Sequence, residues 1–395
     1  MIVALFLLTF FESIAATLIQ RGLYFFTHEN LGFSQSQNLW IAFGFGVTYV
    51  GGAVASHGLS KRHGERAVLL GCILALLVLH SLLALVPTPW VLVGSVFGTA
   101  IVQGIKWPVV ESYVSAGRAP RQLLAILSRY NVTWATAGFV AIGVTGLIVG
   151  THVPSLFFWF PALLNLFAAL LTLKLPAQPV HLEHSHPERP VDGELSNMRA
   201  LLGSARWSMI GSYALFYVLA PLMPSLLAQL ALPVTLATPV ASILDAVRVV
   251  TFGALGALAG WHGKRAPMWL VGAALPGGFL LILLGNSLPL LILGEVIFGI
   301  AAGFAYTAAL YYALVAENAS VDAGGAHEGL IGIGIGLGPL SGLAGQLLVG
   351  QRLPFATQSD GLQPFMALAL TTTPIIAVCL LGSARSLFRL RGRPA

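Results

Sequence analysis

Long, continuously apolar runs separated by short polar connectors dominate this chain. The runs cover residues 2–26, 37–58, 67–87, 89–115, 122–150, 153–174, 205–230, 234–260, 267–286, 288–316, 327–350 and 364–386. Each run is long enough for a helix of about 20 apolar residues, which crosses the hydrocarbon core of a bilayer. The runs do not alternate between polar and apolar residues, and this excludes a transmembrane β-barrel. The sequence therefore predicts an all-α membrane protein with about twelve transmembrane helices.

The composition agrees with this class and excludes others. Hydrophobic residues make up 57% of the chain and charged residues 9%, whereas about a quarter of the residues of a soluble domain are charged. The net charge of +6 does not indicate a nucleic-acid partner, because the basic residues lie at the ends of apolar runs, where they orient helices. Cys72 and Cys379 lie within apolar runs without a CxxC motif or a neighbouring His, so we predict neither a disulfide nor a metal site.

The first apolar run differs from a secretory signal peptide. No basic stretch precedes it, Glu12 lies in its centre, and it continues to Phe26. The apolar region of a signal peptide has only about 7 to 15 residues. We therefore interpret this run as the first transmembrane helix.

Lysine and arginine residues collect on one side of the predicted membrane. That side holds Lys61, Arg62, Arg66, Arg118, Arg121, Lys174, Arg189, Arg199, Arg206, Lys264, Arg265, Arg385, Arg389, Arg391 and Arg393. The opposite connectors hold essentially Arg352 alone. Because basic connectors stay in the cytoplasm, we predict that both termini lie inside. We also expect a monomeric, multi-pass protein of the bacterial cytoplasmic (inner) membrane.

One long polar segment, residues 176–204, divides the apolar runs into six and six. Its richness in Pro, His and Glu is typical of a flexible tether. We therefore predict an N-terminal bundle over residues 1–175 and a C-terminal bundle over residues 205–395. The segment also contains closely spaced histidines at His181, His184 and His186. Such a tract can bind a transition metal, but we interpret it as part of a solvated tether.

Two short basic loops occupy equivalent places in the two halves. The first is LSKRHGERAVLL from residue 59 to 70, and the second is GALAGWHGKRAPMWL from residue 256 to 270. The copies align Leu59 with Leu258, Gly64 with Gly263, and Arg66 with Arg265. A duplicated loop indicates a duplicated fold.

The first loop resembles the G-x-L-x-D-R-x-G-R-K-x-x-L loop of the major facilitator superfamily of secondary transporters, which lies between their second and third helices. The positions that match are Leu59, Arg62, Gly64, Arg66 and Leu69. Lys61 stands where the family has Asp, and the second copy has Gly260 there. The resemblance implies two six-helix bundles that rock about a cavity near the middle of the membrane. Residues 104–113 and 128–138 also resemble stretches of some poorly characterised bacterial members, and this likeness implies no substrate.

Ionisable residues inside apolar runs need a partner, water or a function, because burying them in a bilayer is costly. They are Glu12, Arg21, Lys106, Glu111, Arg129, Asp245, Arg248, Glu295 and Glu328. Glu12 and Asp245 are central in their runs, so we predict that they carry the coupling proton. Arg248 follows Asp245 at i+3, a spacing that allows the two to pair. For Glu328 the sequence leaves open proton coupling and capping of a helix N-terminus.

The predicted solute contacts are cationic and aromatic side chains within the runs. They are Arg21, Lys106, Trp107, Trp134, Arg248 and Tyr306. Lys106 beside Trp107 is the expected contact for an anionic group in the first half. For the aromatic residues, simple packing is the alternative role.

The predicted gate lies at the cytoplasmic ends of the two bundles. In the family the loop Asp latches these ends together, which Lys61 and Gly260 cannot do. We hypothesise a rewired latch, in which Arg62 or Arg66 reaches Glu317, Asp322 or Glu328. We also expect Glu111 to pair with Arg129, because a short loop makes their helices antiparallel neighbours. The full set of gating candidates is Arg62, Gly64, Arg66, Glu111, Arg129, Gly263, Arg265, Glu317 and Asp322. The alternative is that the two loop arginines only orient the helices.

Together these patterns predict a secondary active transporter of a small organic solute, anionic or zwitterionic, driven by protons through alternating access. The partners we expect are therefore the solute, protons and membrane lipid. No nucleotide loop, haem motif or nucleophile elbow occurs in the chain, so we expect neither a cofactor nor an enzyme. The alternative is a lipid flippase or a non-transporting membrane sensor on the same fold, which the missing loop Asp favours.

Overall fold

The computed structural model describes residues 2–118, 120–151, 153–180, 191–317, 321–349 and 363–388. Within these residues the chain forms helices joined by short connectors, with no β-strand. The helices are α1 (Ile2–Thr17), α2 (Leu23–Leu31), α3 (Gln35–His63), α4 (Glu65–Leu85), α5 (Pro89–Ser115), α6 (Pro120–Val149), α7 (Pro154–Thr172), α8 (Asp192–Leu219), α9 (Met223–Gln229), α10 (Val234–Ala241), α11 (Ile243–Ala257), α12 (Ala266–Leu284), α13 (Leu288–Glu317), α14 (Val321–Leu348) and α15 (Pro364–Phe388).

These helices confirm the predicted fold class. Among the described residues, 11 helices are long and apolar enough to cross a membrane, or up to 12 when one bent pair counts as a single span. That pair is α8 and α9, which meet at an angle of 56°. Pro224 lies at the second position of α9, where it has no amide proton to offer the preceding turn. The first span contains α1, a π-helical turn and α2.

The central polar segment is shorter than its composition predicted. Residues 192–204, interpreted above as part of a tether, are helical and form the first half of α8. Leu195, Met198 and Leu202 of this stretch are buried. Their spacing of three and four residues places them on one helix face, which docks the stretch on the bundle despite its polar average. The three histidines predicted to lie in the tether fall outside the described residues.

Two sets of helices pack mainly within themselves. We call α1–α7 the first half and α8–α15 the second half. The halves meet where α3 and α5 contact α14, and where α6 contacts α10, α11 and α13. Small residues allow the close approach, as membrane helices generally require. A Cβ atom added to Gly46 of α3 would lie 2.5 Å from the Gly336 Cα of α14.

The halves touch on both sides of the membrane. We call inner the side that carries the connector between α3 and α4. Near that side the Ser128 hydroxyl donates to the Phe252 carbonyl at 2.9 Å. Near the outer side the Gly146 amide donates to the Thr238 hydroxyl at 2.9 Å, and Ser36 bonds to Gln346. The halves are therefore in contact both above and below the space between them.

Candidate solute cavity between the two halves

A cavity of about 100 Å³ lies between the halves, with room for several water molecules. It is smaller than the ~300 Å³ at which ligand pockets usually begin. Its lining comes from both halves and comprises Ser13, Ala16, Thr17, Gln20, Arg21, Tyr49, Trp107, Tyr130, Trp134, Gly138, Tyr213, Phe216, Tyr217, Asp245, Arg248, Tyr306, Glu328, Ile331 and Ile335.

A cation of the first half contacts an acid of the second half in this cavity. The Arg21 Nη1 atom lies 2.5 Å from the Asp245 Oδ2 atom. Arg21 belongs to the π-helical turn Leu18–Gly22, and such turns interrupt helices most often at functional sites. Because α11 belongs to the other half, this contact must break or rearrange when the halves move apart.

Asp245 forms salt bridges with two arginines. Besides Arg21, the Arg248 Nη1 atom lies 3.5 Å from the Asp245 Oδ1 atom, in the i+3 pairing that the sequence predicted. The Arg248 guanidinium also stacks on Trp134, 4.5 Å from the ring centroid. Its Nε atom is buried without a hydrogen-bond partner among the described residues. Two guanidinium groups thus share one carboxylate, and one of their donors has no acceptor.

Aromatic side chains form the rest of the wall around Arg248. Trp134 and Tyr306 meet edge to face at 5.1 Å, and Phe252 lies 5.2 Å from Trp134. Phe216 lies under Arg21, 4.4 Å from the guanidinium carbon. The predicted solute contacts Arg21, Trp134, Arg248 and Tyr306 therefore lie on one cavity, with apolar ring faces beside cationic heads.

Lys106 lies elsewhere. Its ammonium is 2.7 Å from the Glu12 carboxylate, and both side chains are 0% exposed. It also packs 4.1 Å from the centroid of the Trp107 ring. Only Trp107 of these three lines the cavity. In this conformation the Lys106 ammonium is paired with Glu12 and does not face the cavity. A solute contact by Lys106 and proton transfer by Glu12 both stay predictions.

An amide network that the sequence reasoning missed joins the halves beside this pair. The Tyr217 hydroxyl donates to the Gln20 side chain at 2.8 Å. Gln20 in turn donates to Gln103 at 3.3 Å, and the Trp107 indole also donates to Gln103, at 2.9 Å. Gln20 and Gln103 carry no charge, but a glutamine in the middle of an apolar run also needs a hydrogen-bond partner. This need is the sequence signal that could have identified them.

Two acids face each other on the inner side of the cavity. Glu111 of α5 and Glu328 of α14 are hydrogen-bonding neighbours across the halves. The Tyr306 hydroxyl donates to Glu111 at 3.5 Å, and the Tyr49 hydroxyl donates to Glu328. Glu111 and Glu328 are 2% and 4% exposed.

This geometry corrects two predictions. Glu111 does not pair with Arg129, whose side chain is exposed, because the rotation of α5 turns the carboxylate toward the second half. Glu328 does not cap a helix, because α14 begins at Val321 and so Glu328 lies about two turns inside it. Glu295 is buried too, near the charges of Asp245 and Arg21, but it does not line the cavity.

The two basic loops are tied within their own halves. In the first loop, Gly64 has φ 81° and the Arg66 guanidinium donates to the Leu175 carbonyl at 3.1 Å, while Arg62 is exposed. These contacts leave Arg66 engaged inside the first half. The side chains of Glu317 and Asp322, its hypothetical partners, lie outside the described residues.

Aromatic groups anchor the second loop. The Gly263 amide, at φ 70°, donates to the Tyr312 hydroxyl at 3.1 Å, and the His262 ring stacks on Tyr311 at 4.4 Å. Burial lowers the pKa of His262, so this ring is neutral at pH 7. Arg265 is half-buried at the start of α12. Both loops thus hold their position without the family's acidic residue, and their part in gating stays a prediction.

Comparison with known proteins supports one family. The model of the Major Facilitator Superfamily matches residues 1–357, and no curated protein matches the chain in sequence. Among solved structures, the nucleoside transporter NupG (D323A mutant) is 15% identical, with 97% of this chain and 99% of that chain covered and a TM-score of 0.70.

Two further structures are similar over nearly their whole length. A bacterial homologue of the human lysosomal transporter Spinster, in an inward-facing and unoccupied conformation, is 17% identical, with 100% and 98% covered and a TM-score of 0.71. The human organic anion transporter MFSD10 (TETRAN) is 14% identical, with 96% and 98% covered and a TM-score of 0.66. At these identities the likeness concerns the fold.

Proposed function

Because the chain belongs to the major facilitator superfamily of secondary transporters, we propose that it carries a small organic anion or zwitterion by alternating access, coupled to protons. The observation that carries this proposal is the pair of guanidinium groups that share Asp245 in the cavity. Arginine binds carboxylate and phosphate oxygens in a fork. The buried Arg248 Nε donor, which has no acceptor among the described residues, is suited to an oxyanion of the solute.

The other walls of the cavity support a solute with an organic body. The ring faces of Trp134, Phe216 and Tyr306 offer apolar surface next to the arginines. Glu328, at the inner end, offers an acceptor to a protonated amine in a zwitterion. With a neutral sugar, the two arginine charges would have only the single charge of Asp245 as a counterpart, and buried charges need to be compensated.

Alternating access is supported by how the halves touch. Hydrogen bonds and close glycine contacts join the halves on both sides, and these contacts can break without unfolding a helix. Coupling to a proton gradient is supported by buried acids at the interface of the halves and by the absence of a nucleotide-binding motif from the sequence.

One feature favours the alternative, a lipid-handling protein. A groove of about 650 Å³ between α8, α14 and α15 is lined mainly by apolar residues, including Trp207, Ile333 and Val378. These side chains are partly exposed at the surface of the helix bundle, where acyl chains can reach them. The groove and the central cavity share no lining residue. We therefore favour transport of a polar solute through the central cavity.

Uptake by proteoliposomes tests the proposal. The purified protein is reconstituted and offered a labelled panel of carboxylates, amino acids, nucleosides and sugars, with and without a pH gradient. We expect carboxylate-bearing solutes to accumulate only with the gradient. Accumulation of neutral sugars alone, or flipping of labelled lipid without solute uptake, would contradict the proposal.

Arg248→Gln should weaken solute binding by about tenfold or more, because a charged hydrogen bond contributes roughly 1.5–3 kcal/mol. Arg248→Lys should lie between this variant and wild type, since it keeps the charge but loses the fork. Asp245 retains Arg21 as a partner in both variants. Binding is measured by solute-induced thermal stabilisation, with Arg129→Gln, an exposed arginine of α6, as the matched control. Equal binding by Arg248→Gln and wild type would exclude the residue from the site.

The one-sided distribution of Lys and Arg supports an orientation with the inner side in the cytoplasm of a bacterium. A cysteine introduced at Ser34 should then react with an impermeant maleimide added outside intact cells, whereas one at Ser185 should react only after permeabilisation. The natural cysteines Cys72 and Cys379 are buried and give little background. Labelling of position 185 from outside would reverse the orientation.

A further inference from the structure

Glu111 and Glu328 are two buried acids that lie next to each other at the contact between the halves. Their carboxyl groups are hydrogen-bonding neighbours across the interface of α5 and α14. Both are almost fully buried, and one oxygen of Glu111 has no donor among the described residues. Two carboxylates so placed cannot both stay ionised, whereas a single shared proton converts the repulsion into a hydrogen bond.

In the described part of the chain, the cations near the pair are Lys106 and Arg206, and Arg206 acts on the adjoining His327. Within the described residues neither acid makes a salt bridge. Lys106 interacts with Glu328 electrostatically at longer range, but the Lys106 ammonium lies 2.7 Å from the Glu12 carboxylate. The other groups that face the pair are the hydroxyls of Tyr49, Tyr130, Tyr213 and Tyr306. These hydroxyls can donate hydrogen bonds but supply no positive charge.

His327 adjoins the pair without bonding to it. Its ring packs edge-on against Tyr306 at 5.2 Å. Neither ring nitrogen has a hydrogen-bond partner among the described residues. The imidazole therefore neutralises neither carboxylate in this conformation.

The other buried acids are placed differently. Glu12 and Asp245 each have a cation as their partner, Lys106 at 2.7 Å and Arg21 at 2.5 Å respectively. Glu295 lies near the charges of Asp245 and Arg21 instead. Of the buried acids in the described residues, only Glu111 and Glu328 meet each other across the two halves.

We propose that Glu111 and Glu328 share one proton that holds the inner side closed, and that loss of this proton drives the halves apart at that side. The inference rests on the proposed proton-coupled transport and gives it a site. When the inner side opens, water reaches both carboxyl groups and each ionises separately, so the proton leaves on the side to which the cavity opens. Closing again requires a new proton.

Distance measurements on the inner side test the proposal without any solute. Spin labels replace the exposed Lys61 of the first half and Lys264 of the second half, in a background with Cys72 and Cys379 changed to alanine. In wild type we expect the distance distribution to shift to longer values as the pH rises from about 5 to about 9. This range covers the pKa values that buried carboxyl groups can have. Glu111→Gln and Glu328→Gln, each permanently neutral, should stay closed throughout.

The matched control is Glu295→Gln, which neutralises a buried acid outside the pair and should keep the wild-type shift. A pH shift that persists in both pair variants, or a wild type that shows none, overturns the proposal. The outcome also separates the two proposals. If the pair variants lose the shift but wild-type uptake proves independent of a pH gradient, the shared proton stands and proton-coupled transport falls.

Discussion

Lys106→Met is expected to lower the free energy of unfolding by about 3–5 kcal/mol, the usual cost of removing one partner of a buried ion pair. Lys106 and Glu12 are both 0% exposed, and their charged atoms are 2.7 Å apart. Without the ammonium, the Glu12 carboxylate remains in a site from which water is excluded. The double variant Glu12→Gln/Lys106→Met should recover most of the loss, because it removes both charges together.

Unfolding in mixed micelles measures these differences, and Lys61→Met, at the exposed inner end of α3, is the matched control. If the double variant is as unstable as Lys106→Met, the pair is not the source of the loss. The single variant Glu12→Gln separates the two roles of this acid. Should it still exchange solute down a gradient and yet lose accumulation driven by a pH gradient, Glu12 carries a proton, as its central position predicted.

Gly46→Val should reduce uptake by about 5- to 150-fold, because it prevents the halves from closing. A Cβ atom at Gly46 would lie 2.5 Å from the Gly336 Cα, and backbone atoms cannot turn aside as a side chain can. Overpacking of this kind costs roughly 1–3 kcal/mol, which shifts a two-state equilibrium by that factor. The variant should still insert and fold, since each half keeps its own packing.

Gly51→Val is the matched control, because it lies on the same helix and nothing lies within 4 Å of its added Cβ atom. It carries the same change in helix propensity without the clash. Uptake assays should separate the two variants, and spin-label distances between the halves should lengthen only in Gly46→Val. Equal activity of both variants would mean that α3 and α14 need not approach closely during transport.

The site could be predicted in part. Arg21, Trp134, Arg248 and Tyr306 were selected because charged and aromatic residues inside apolar runs need a reason to be there, and all four line the cavity. Their neighbours could not be selected in this way. Gln20 and Gln103 carry no charge. The predicted pairing of Glu111 with Arg129 is wrong because helices that follow each other in the chain need not turn these two side chains toward each other.

The number of spans, the membrane class and the family could be predicted from the sequence, because they depend on the length of apolar runs and on a short loop motif, both local properties. The pairing of Asp245 with Arg248 could be predicted too, since three residues along a helix bring them to one face. Only the tertiary structure decided that Glu12 meets Lys106, that Arg21 meets Asp245, and that Glu111 meets Glu328. Those pairings join helices far apart in the chain. They depend on the position of each helix along the membrane normal and on its rotation about its own axis. Both are determined by the packing of all the neighbouring helices together.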